Sequence, residues 1–228
     1  MRFFIENQKV EKELEWVLNQ LKLHMNGATT SQMEESGIHY RINYGVGIPH
    51  LKQLAKRTPA SYELAERMWY SEVREMMLLA ALIVPAEKMT EDICREWSKQ
   101  ISNKDLVERT AMFLWARIDI GKELLIEWVN CDNNYLKATA LYTIGRQLQV
   151  DAKIDTPHSS ILMESFDHAQ DLFIVKALSF ALRMKLRYCV QETAEIVEFA
   201  SLLSKENDRN KQVLGQELLT EIDFINGK

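Results

Sequence analysis

Glycine and proline are scarce in this sequence, with 8 and 4 among 228 residues. Proteins built from β-hairpins need these residues in their tight turns, so the scarcity argues against an all-β fold. Long apolar runs are also missing. The longest, MMLLAALIV at 76–84, is far shorter than the ~20 apolar residues that span a bilayer, and it ends at Pro85. The sequence therefore predicts a helical protein with no membrane partner.

Cysteines are few, odd in number and far apart, at Cys94, Cys131 and Cys189. This pattern excludes a disulfide framework and a cysteine-based zinc site, and it is typical of reduced thiols in a cytoplasmic protein. The five histidines show no metal-ligand spacing. The N-terminal residues lack the apolar region and cleavage site of a signal peptide. We therefore expect a cytoplasmic, monomeric protein with no metal and no cofactor.

An excess of positive charge is absent, because the net charge is −5. Taken alone, this weighs against a nucleic-acid partner. The acidic excess lies near the C-terminus, since residues 191–228 carry 4 basic and 8 acidic side chains. Residues 101–190 carry 11 of each. A region that is neutral overall can still present one basic face.

What the sequence does have is helical periodicity along nearly its whole length. The segment 28–45 is the exception, because its apolar residues are weakly patterned and predict irregular structure. Pro49 stands where the first turn of a helix tolerates a missing N–H group. The predicted helices are 10–25, 48–57, 60–69, 71–84, 90–101, 104–118, 121–130, 133–149, 158–169, 171–187, 190–204 and 208–224.

These helices come in pairs whose second members resemble one another. Aligning the second members on five positions gives spacings of 32, 28, 39 and 36 residues. The five positions are Met77, Arg109, Lys137, Lys176 and Gln212. Helix pairs at such intervals predict an all-α, α-α superhelix of HEAT-like repeats, forming a single domain over residues 1–228. In such a fold we expect the second helices to line a concave groove. A plain helical bundle is the alternative.

The predicted helix 171–187 carries a basic and aromatic stripe. Lys176, Phe180, Arg183 and Arg187 share one side, and no acidic residue lies between positions 172 and 190. Cations around an aromatic ring suit phosphates together with a base or sugar. Alternatively, a neighbouring helix supplies the acidic partners. Lys137 holds the matching position one repeat earlier, so we expect it to share this surface.

The predicted helix 104–118 carries two carboxylates one turn apart. Asp105 fits a helix start that opens at Ser102, where its charge faces the positive end of the helix. Glu108 shares its stripe with Met112 and Trp115. A carboxylate beside a large aromatic side chain on a second helix is a candidate for a functional site.

The segments YGVGIPHLKQLAKR and ELAERMWYSEVREMMLLAALI resemble the opening repeats of the DNA alkylation repair family. Its members of the AlkD type are HEAT-like glycosylases that release 3- and 7-alkylated purines. The resemblance covers roughly residues 40 to 190. It implies a protein that binds double-stranded DNA in its groove and acts in DNA repair as a glycosylase, which is a hydrolase.

The resemblance also implies site residues. The family's acidic segment Trp-Asp-x-Val-Asp matches residues 104–108, and its later segment Phe-x-x-Lys-Ala-x-x-Trp-x-Leu-Arg matches residues 173–183. Here Lys104 and Phe180 replace the two tryptophans, Glu108 replaces the catalytic aspartate, and Lys137 stands near an arginine of the family. The implied catalytic residue is therefore Glu108, with Asp105 as a second candidate. The expected DNA contacts are Lys104, Lys137, Lys176, Phe180, Arg183, Arg187 and Trp115.

The substitutions leave three functions open. A carboxylate near the sugar stabilises the positive charge that develops as an alkylated base departs. Glu108 adds one methylene, and small misplacements of this kind cost about 100-fold in rate. Lys104 opposes that developing charge but helps bind phosphate. The protein is thus an alkylpurine glycosylase (3-methyladenine or 7-methylguanine) with a modified site, a catalytically silent DNA-binding relative, or a protein-binding HEAT scaffold.

Overall fold

The computed structural model of the protein describes residues 7–166 and 171–227. Within these ranges the regular structure is helical, with one isolated parallel bridge between Ile42 and Val73 and no strand. This confirms the prediction of an all-α fold. None of the helices in the described ranges has the length and apolarity needed to cross a membrane.

The chain divides into two compact units, with the boundary between Leu114 and Trp115. The single domain expected from the sequence stays a prediction.

The first unit is centred on helix α5. Its helices are α1 (Gln8–Leu23), α2 (Gly27–Glu35), α3 (Ile48–Arg57), α4 (Tyr62–Trp69), α5 (Arg74–Ile83), α6 (Glu91–Ser98) and α7 (Lys104–Phe113), with a 3-10 turn at Ala86–Lys88. Helices α3, α4 and α7 all pack against α5, and α1 packs against α4. Every residue of α5 except Leu82 is buried, as expected for a helix covered on several sides. Trp69 and Trp97 stack nearly parallel in this core, 4.8 Å apart.

The second unit is built around two long helices, α9 and α11, of 17 residues each. Its helices are α8 (Lys122–Val129), α9 (Asn134–Val150), α10 (Ser159–Glu164), α11 (Leu172–Tyr188), α12 (Thr193–Leu203) and α13 (Arg209–Ile225), with 3-10 turns at Trp115–Arg117 and Val190–Glu192. Helix α9 packs against α8 and α11, and α13 packs against α11 and α12. Trp115 and Trp128 meet edge to face in the core, 5.4 Å apart.

The second members of the predicted pairs are neighbours within each unit. Helix α5 packs against α7 in the first unit, and α9, α11 and α13 pack in succession in the second. The sequence recurrence therefore corresponds to repeated helix pairs, as in HEAT-like proteins.

Some predicted helices differ from the structure because capping or tertiary packing sets where a helix begins or ends. The segment 28–45 was expected to be irregular, but α2 occupies its first part, because the Asn26 side chain accepts the Thr29 N–H group and starts a helix. Helix α2 buries none of its residues, so it has no apolar stripe that a sequence pattern could show. The predicted helix 104–118 ends early, at Phe113. Part of the predicted helix 158–169 lies outside the described residues, since positions 167–170 are not described.

Candidate nucleic-acid interface

The predicted stripe on α11 lies at the protein surface. Lys176 and Arg187 are exposed, and Phe180 and Arg183 are half-buried. The opposite side of α11 is buried in the second unit, as its apolar residues predicted. Helical periodicity was thus sufficient to place these four side chains on one accessible face.

Phe180 is the centre of a cluster formed by α9 and α11. The Arg146 guanidinium lies 4.8 Å from the centroid of the Phe180 ring, and the Tyr142 ring lies 5.7 Å from it. The Arg146 guanidinium also donates to the Gln149 side-chain oxygen at 2.8 Å. Lys176 stands one helical turn before Phe180. We call Tyr142, Arg146, Lys176 and Phe180 the Phe180 cluster.

Gly145 allows this close approach of α9 and α11. A Cβ atom at this position would lie 2.5 Å from the Phe180 ring, which is shorter than any normal contact. Any larger residue here would force the Phe180 ring to move, although the conformation of Gly145 is ordinary helix. Neither Arg146 nor Tyr142 was predicted as a site residue. Their four-residue spacing around a helical glycine was the signal that could have found them.

Lys137 lies on the other side of α9 from Arg146. The two residues are nine positions apart, which corresponds to half a turn around the helix. Burial raises the pKa of the Cys131 thiol, and the Lys137 ammonium is close enough to oppose that increase. The α9 cation beside Phe180 is therefore Arg146, and the expected DNA contact by Lys137 stays a prediction.

Arg183 and Arg187 share one acidic partner on the neighbouring helix α13. Both guanidinium groups donate to the Glu221 carboxylate, with 2.8 Å from Arg183 Nε to Oε2. Burial alone would raise the pKa of the Glu221 carboxyl, but the two arginines outweigh it and lower this pKa. The alternative interpretation of the stripe thus holds for these two residues. The single carboxylate compensates one of their two positive charges within the protein.

The two carboxylates near the start of α7 lie in different environments. Asp105 is buried, whereas Glu108 and Lys104 are exposed. The residue that caps the helix is Asn103, whose side-chain oxygen accepts the Leu106 N–H group at 3.0 Å. The expectation that the helix start opens at Ser102 was therefore wrong, whereas Asp105 lies in the first turn as expected.

Asp105 is held by three donors from different parts of the first unit. Arg74 Nε lies 2.8 Å from Oδ2, the Tyr40 hydroxyl donates to the same oxygen at 3.1 Å, and Arg109 Nε lies 3.3 Å from Oδ1. Burial of the Tyr40 phenol, followed by the nearby carboxylate, raises the pKa of Tyr40 well above its usual value. Both oxygens of Asp105 are occupied, so this carboxylate holds structure together.

The same corner of the unit anchors the segment that leads into α3. The buried Glu75 carboxylate accepts the backbone N–H groups of Tyr44 and Val46 at 3.0 and 3.1 Å. Arg74 donates to the Val46 carbonyl and to Glu75. A buried charge is tolerable only when it is paired and hydrogen-bonded, and both side chains meet that condition.

The Glu108 side chain has no hydrogen bond or ion pair with any residue in the described ranges. Its carboxylate is exposed and remains available to a ligand. Trp115, expected on the same helical stripe, is fully buried, and its ring packs on Trp128. Because α7 ends at Phe113, the periodicity that joined Glu108 to Trp115 does not extend that far. The buried ring leaves Trp115 no surface to offer DNA.

His158, Glu192 and Glu195 bring potential metal-ligand atoms within 4.8 Å of one another. However, Glu192 already accepts the Ser159 N–H and hydroxyl groups and pairs with the buried Lys185 ammonium at 3.1 Å. The Lys185 charge neutralises the carboxylate and would repel a cation. Ion pairing between α10, α11 and α12 accounts for this cluster.

The profile of the family described as DNA alkylation repair enzyme matches residues 17–188. A comparison with curated protein sequences yields no match. One solved structure is similar to this chain, with a TM-score of 0.72 and 16% sequence identity. The alignment covers 92% of this chain and 94% of the chain in that structure. The structure is described as one of a new family of proteins related to the HEAT-like repeat DNA glycosylases with affinity for branched DNA structures. That likeness establishes a shared HEAT-like repeat fold. Since the family profile covers most of the sequence, this chain belongs to the DNA alkylation repair enzyme family.

Proposed function

We propose that this protein binds DNA, branched DNA included, through the Phe180 cluster of its second unit. The observation that carries the proposal is the Arg146 guanidinium stacked on the half-buried Phe180 ring. An arginine on an aromatic ring provides phosphate donors next to a surface on which bases and sugars can pack. The solved structure with the same fold represents a family described as related to the HEAT-like repeat DNA glycosylases with affinity for branched DNA structures, which supports this choice of ligand.

The charge around the cluster agrees with this proposal. Arg146 and Lys176 have no acidic partner among the described residues, in contrast to Arg183 and Arg187. Helix α11 contains no acidic residue. The protein's net charge of −5 therefore does not describe the potential at this face. A local basic surface is what attracts the phosphate backbone.

Replacing Arg146 by glutamine tests the proposal, with Lys153→Gln as the matched control. Lys153 is exposed in the turn after α9, and its replacement removes the same charge. Fluorescence anisotropy with a duplex and a four-way junction measures affinity at several salt concentrations. We expect Arg146→Gln to weaken binding to both and to lower the slope of log affinity against log salt by about one. Equal losses in both variants would show that any surface cation suffices.

A second candidate function is the release of alkylated bases, with Glu108 as the carboxylate that stabilises positive charge on the sugar. Its exposed and unpaired carboxylate favours this role over Asp105, whose oxygens are occupied. The assay measures free 7-methylguanine released from methylated DNA. If the activity exists, Glu108→Gln abolishes release and leaves DNA affinity unchanged. Lys104→Trp should raise release, since it removes a cation that opposes the developing charge.

The two assays together separate the three functions. DNA binding without base release identifies a catalytically silent DNA-binding protein. Salt-insensitive and weak DNA binding, with no release, leaves the protein-binding scaffold. In that case Arg146→Gln would have no effect on DNA affinity.

A further inference from the structure

Helices α1 and α3 of the first unit face each other through polar and aromatic side chains. At one end, the Arg57 guanidinium lies 5.3 Å from the Trp16 ring centroid. At the other end, the rings of His24 and His50 lie 4.6 Å apart and are inclined by 30°. Trp16 lies on α1 and precedes His24, the residue that follows this helix, whereas His50 precedes Arg57 on α3. The two helices therefore run antiparallel at this crossing.

A small pocket of about 40 Å³ lies between these two contacts. Its polar side chains are Gln20 and His24 from the α1 side and His50, Gln53 and Arg57 from α3. The apolar floor is formed by Leu21, Val46 and Leu54. On α3 the polar positions follow at intervals of three and four residues, which places them on one face of the helix.

The five polar side chains of the pocket are potential donors that the protein itself does not use. None of them forms a side-chain hydrogen bond or an ion pair with another residue in the described part of the chain. Among the described residues, no carboxylate lines the pocket. Glu13 lines a separate depression on the Trp16 side of Arg57.

The chemistry of this lining fits an anion. Helix α3 carries Lys52, Lys56 and Arg57 and has no acidic residue. A guanidinium group offers paired N–H donors that match the oxygens of a phosphate, and charge-assisted hydrogen bonds are the strong ones. A divalent metal fits less well, because the described lining residues include a fixed positive charge and offer neither a carboxylate nor a thiolate.

We infer that the pocket between α1 and α3 binds a phosphate-type oxyanion through His24, His50 and Arg57, with the two glutamines as further donors. Its volume suits a single oxyanion group and not a whole nucleoside. The ligand is either free phosphate or a backbone phosphate of DNA, which present the same oxygens. This inference goes beyond DNA binding through the Phe180 cluster and does not depend on it.

Titration calorimetry with inorganic phosphate tests the pocket directly. The variants are Arg57→Gln and His50→Gln, and Lys56→Gln is the control, because Lys56 neighbours Arg57 on α3 but does not line the pocket. We expect saturable binding by the unmodified protein and by Lys56→Gln. Binding should be at least about tenfold weaker in the other two, since each loses a charge-assisted or imidazole donor. These positions are exposed, so all variants should retain the thermal unfolding midpoint of the unmodified protein.

A second measurement identifies the source of the oxyanion. The slope of log affinity against log salt for duplex DNA should fall by about one in Arg57→Gln, and not in Lys56→Gln, if a backbone phosphate occupies the pocket. An unchanged slope together with the loss of phosphate binding in Arg57→Gln assigns the pocket to free phosphate. The inference is overturned if the unmodified protein shows neither saturable phosphate binding nor an Arg57-dependent slope. Equal effects of Arg57→Gln and Lys56→Gln would also overturn it.

Discussion

The Arg74 guanidinium donates from Nε to Oδ2 of Asp105 over 2.8 Å, and both side chains are buried. This contact joins the first residue of α5 to the second residue of α7, 31 positions later. Because of this ion pair, the two carboxylates of α7 have different roles. Asp105 holds two helices and Tyr40 together, while Glu108, one turn later, remains at the surface.

Asp105→Asn should destabilise the first unit by about 3 kcal/mol, because it leaves the buried Arg74 charge without one of its two carboxylate partners. Urea denaturation measures the loss. This cost is larger than the ~1 kcal/mol expected from a weakened helix start. Glu108→Gln is the control, since an exposed and unpaired side chain should change stability by less than about 0.5 kcal/mol. Equal stability of the two variants would contradict the structural role of Asp105.

The stability contributed by Tyr40 should be lost in alkaline solution. Its folded-state pKa is raised by burial and by Asp105, so its contribution is complete below the unfolded-state pKa near 10 and declines as pH rises further. The difference in unfolding free energy between the unmodified protein and Tyr40→Phe should therefore shrink above pH 10. Urea denaturation at pH 8, 9.5 and 10.5 measures it. A constant difference would show that Tyr40 ionises equally in both states.

Glu221→Gln should strengthen DNA binding, because it releases Arg183 and Arg187 from the carboxylate that they share. We expect a several-fold gain in affinity for duplex DNA and a steeper salt dependence. Arg183→Ala, by comparison, should have a smaller effect than Arg146→Gln, since Glu221 already compensates part of the Arg183 charge. Anisotropy titrations of the three variants compare these effects. Unchanged affinity in Glu221→Gln would place DNA away from α13.

Glu221→Gln should also change how the free energy of unfolding depends on pH in acidic solution. The folded-state pKa of Glu221 is lowered by its two arginines against the effect of burial. Its contribution to stability is therefore complete above the unfolded-state pKa near 4.3 and is lost as pH falls through the folded-state value. The unmodified protein should lose more stability than the variant on acidification below about pH 4, as measured by thermal unfolding.

Gly145→Ala should destabilise the second unit by about 1–3 kcal/mol, because the added methyl group meets the Phe180 ring at 2.5 Å and forces it to move. The matched control is Gly27→Ala on α2, where a Cβ atom would meet nothing within 4 Å. That change should be neutral or slightly stabilising, since it reduces the freedom of the unfolded chain. Similar thermal midpoints for both variants would show that Phe180 adapts without cost.

The sequence predicted most helices because their starts and buried faces are local properties. Ser61, Thr90 and Asp208 cap their helices through side-chain oxygens, and these residues precede clear apolar periodicities. Helix α2 was missed because it buries nothing. The end of α7 was missed because Leu114 leaves the helix within an unbroken apolar stretch, where periodicity gives no boundary.

The site was less predictable because its decisive contacts join residues far apart in the sequence. The stripe on α11 followed from helical spacing, but its acidic partner Glu221 lies 38 positions after Arg183. Likewise, nothing local to Asp105 reveals Arg74. The pairing of Arg146 with Phe180 depends on which side of α9 packs against α11. The only local indication of that side is Gly145, a glycine inside a helix.

The buried tryptophans give each unit its own spectroscopic signal. Trp69 and Trp97 stack nearly parallel in the first unit, with 8° between their planes, whereas Trp115 and Trp128 are nearly perpendicular in the second, at 81°. Parallel and perpendicular indole pairs couple their electronic transitions differently, so near-ultraviolet circular dichroism should distinguish them. Replacing Trp97 or Trp128 by phenylalanine assigns each signal to its unit. Melting curves followed at the two signals then reveal whether residues 1–228 unfold in one cooperative step or in two.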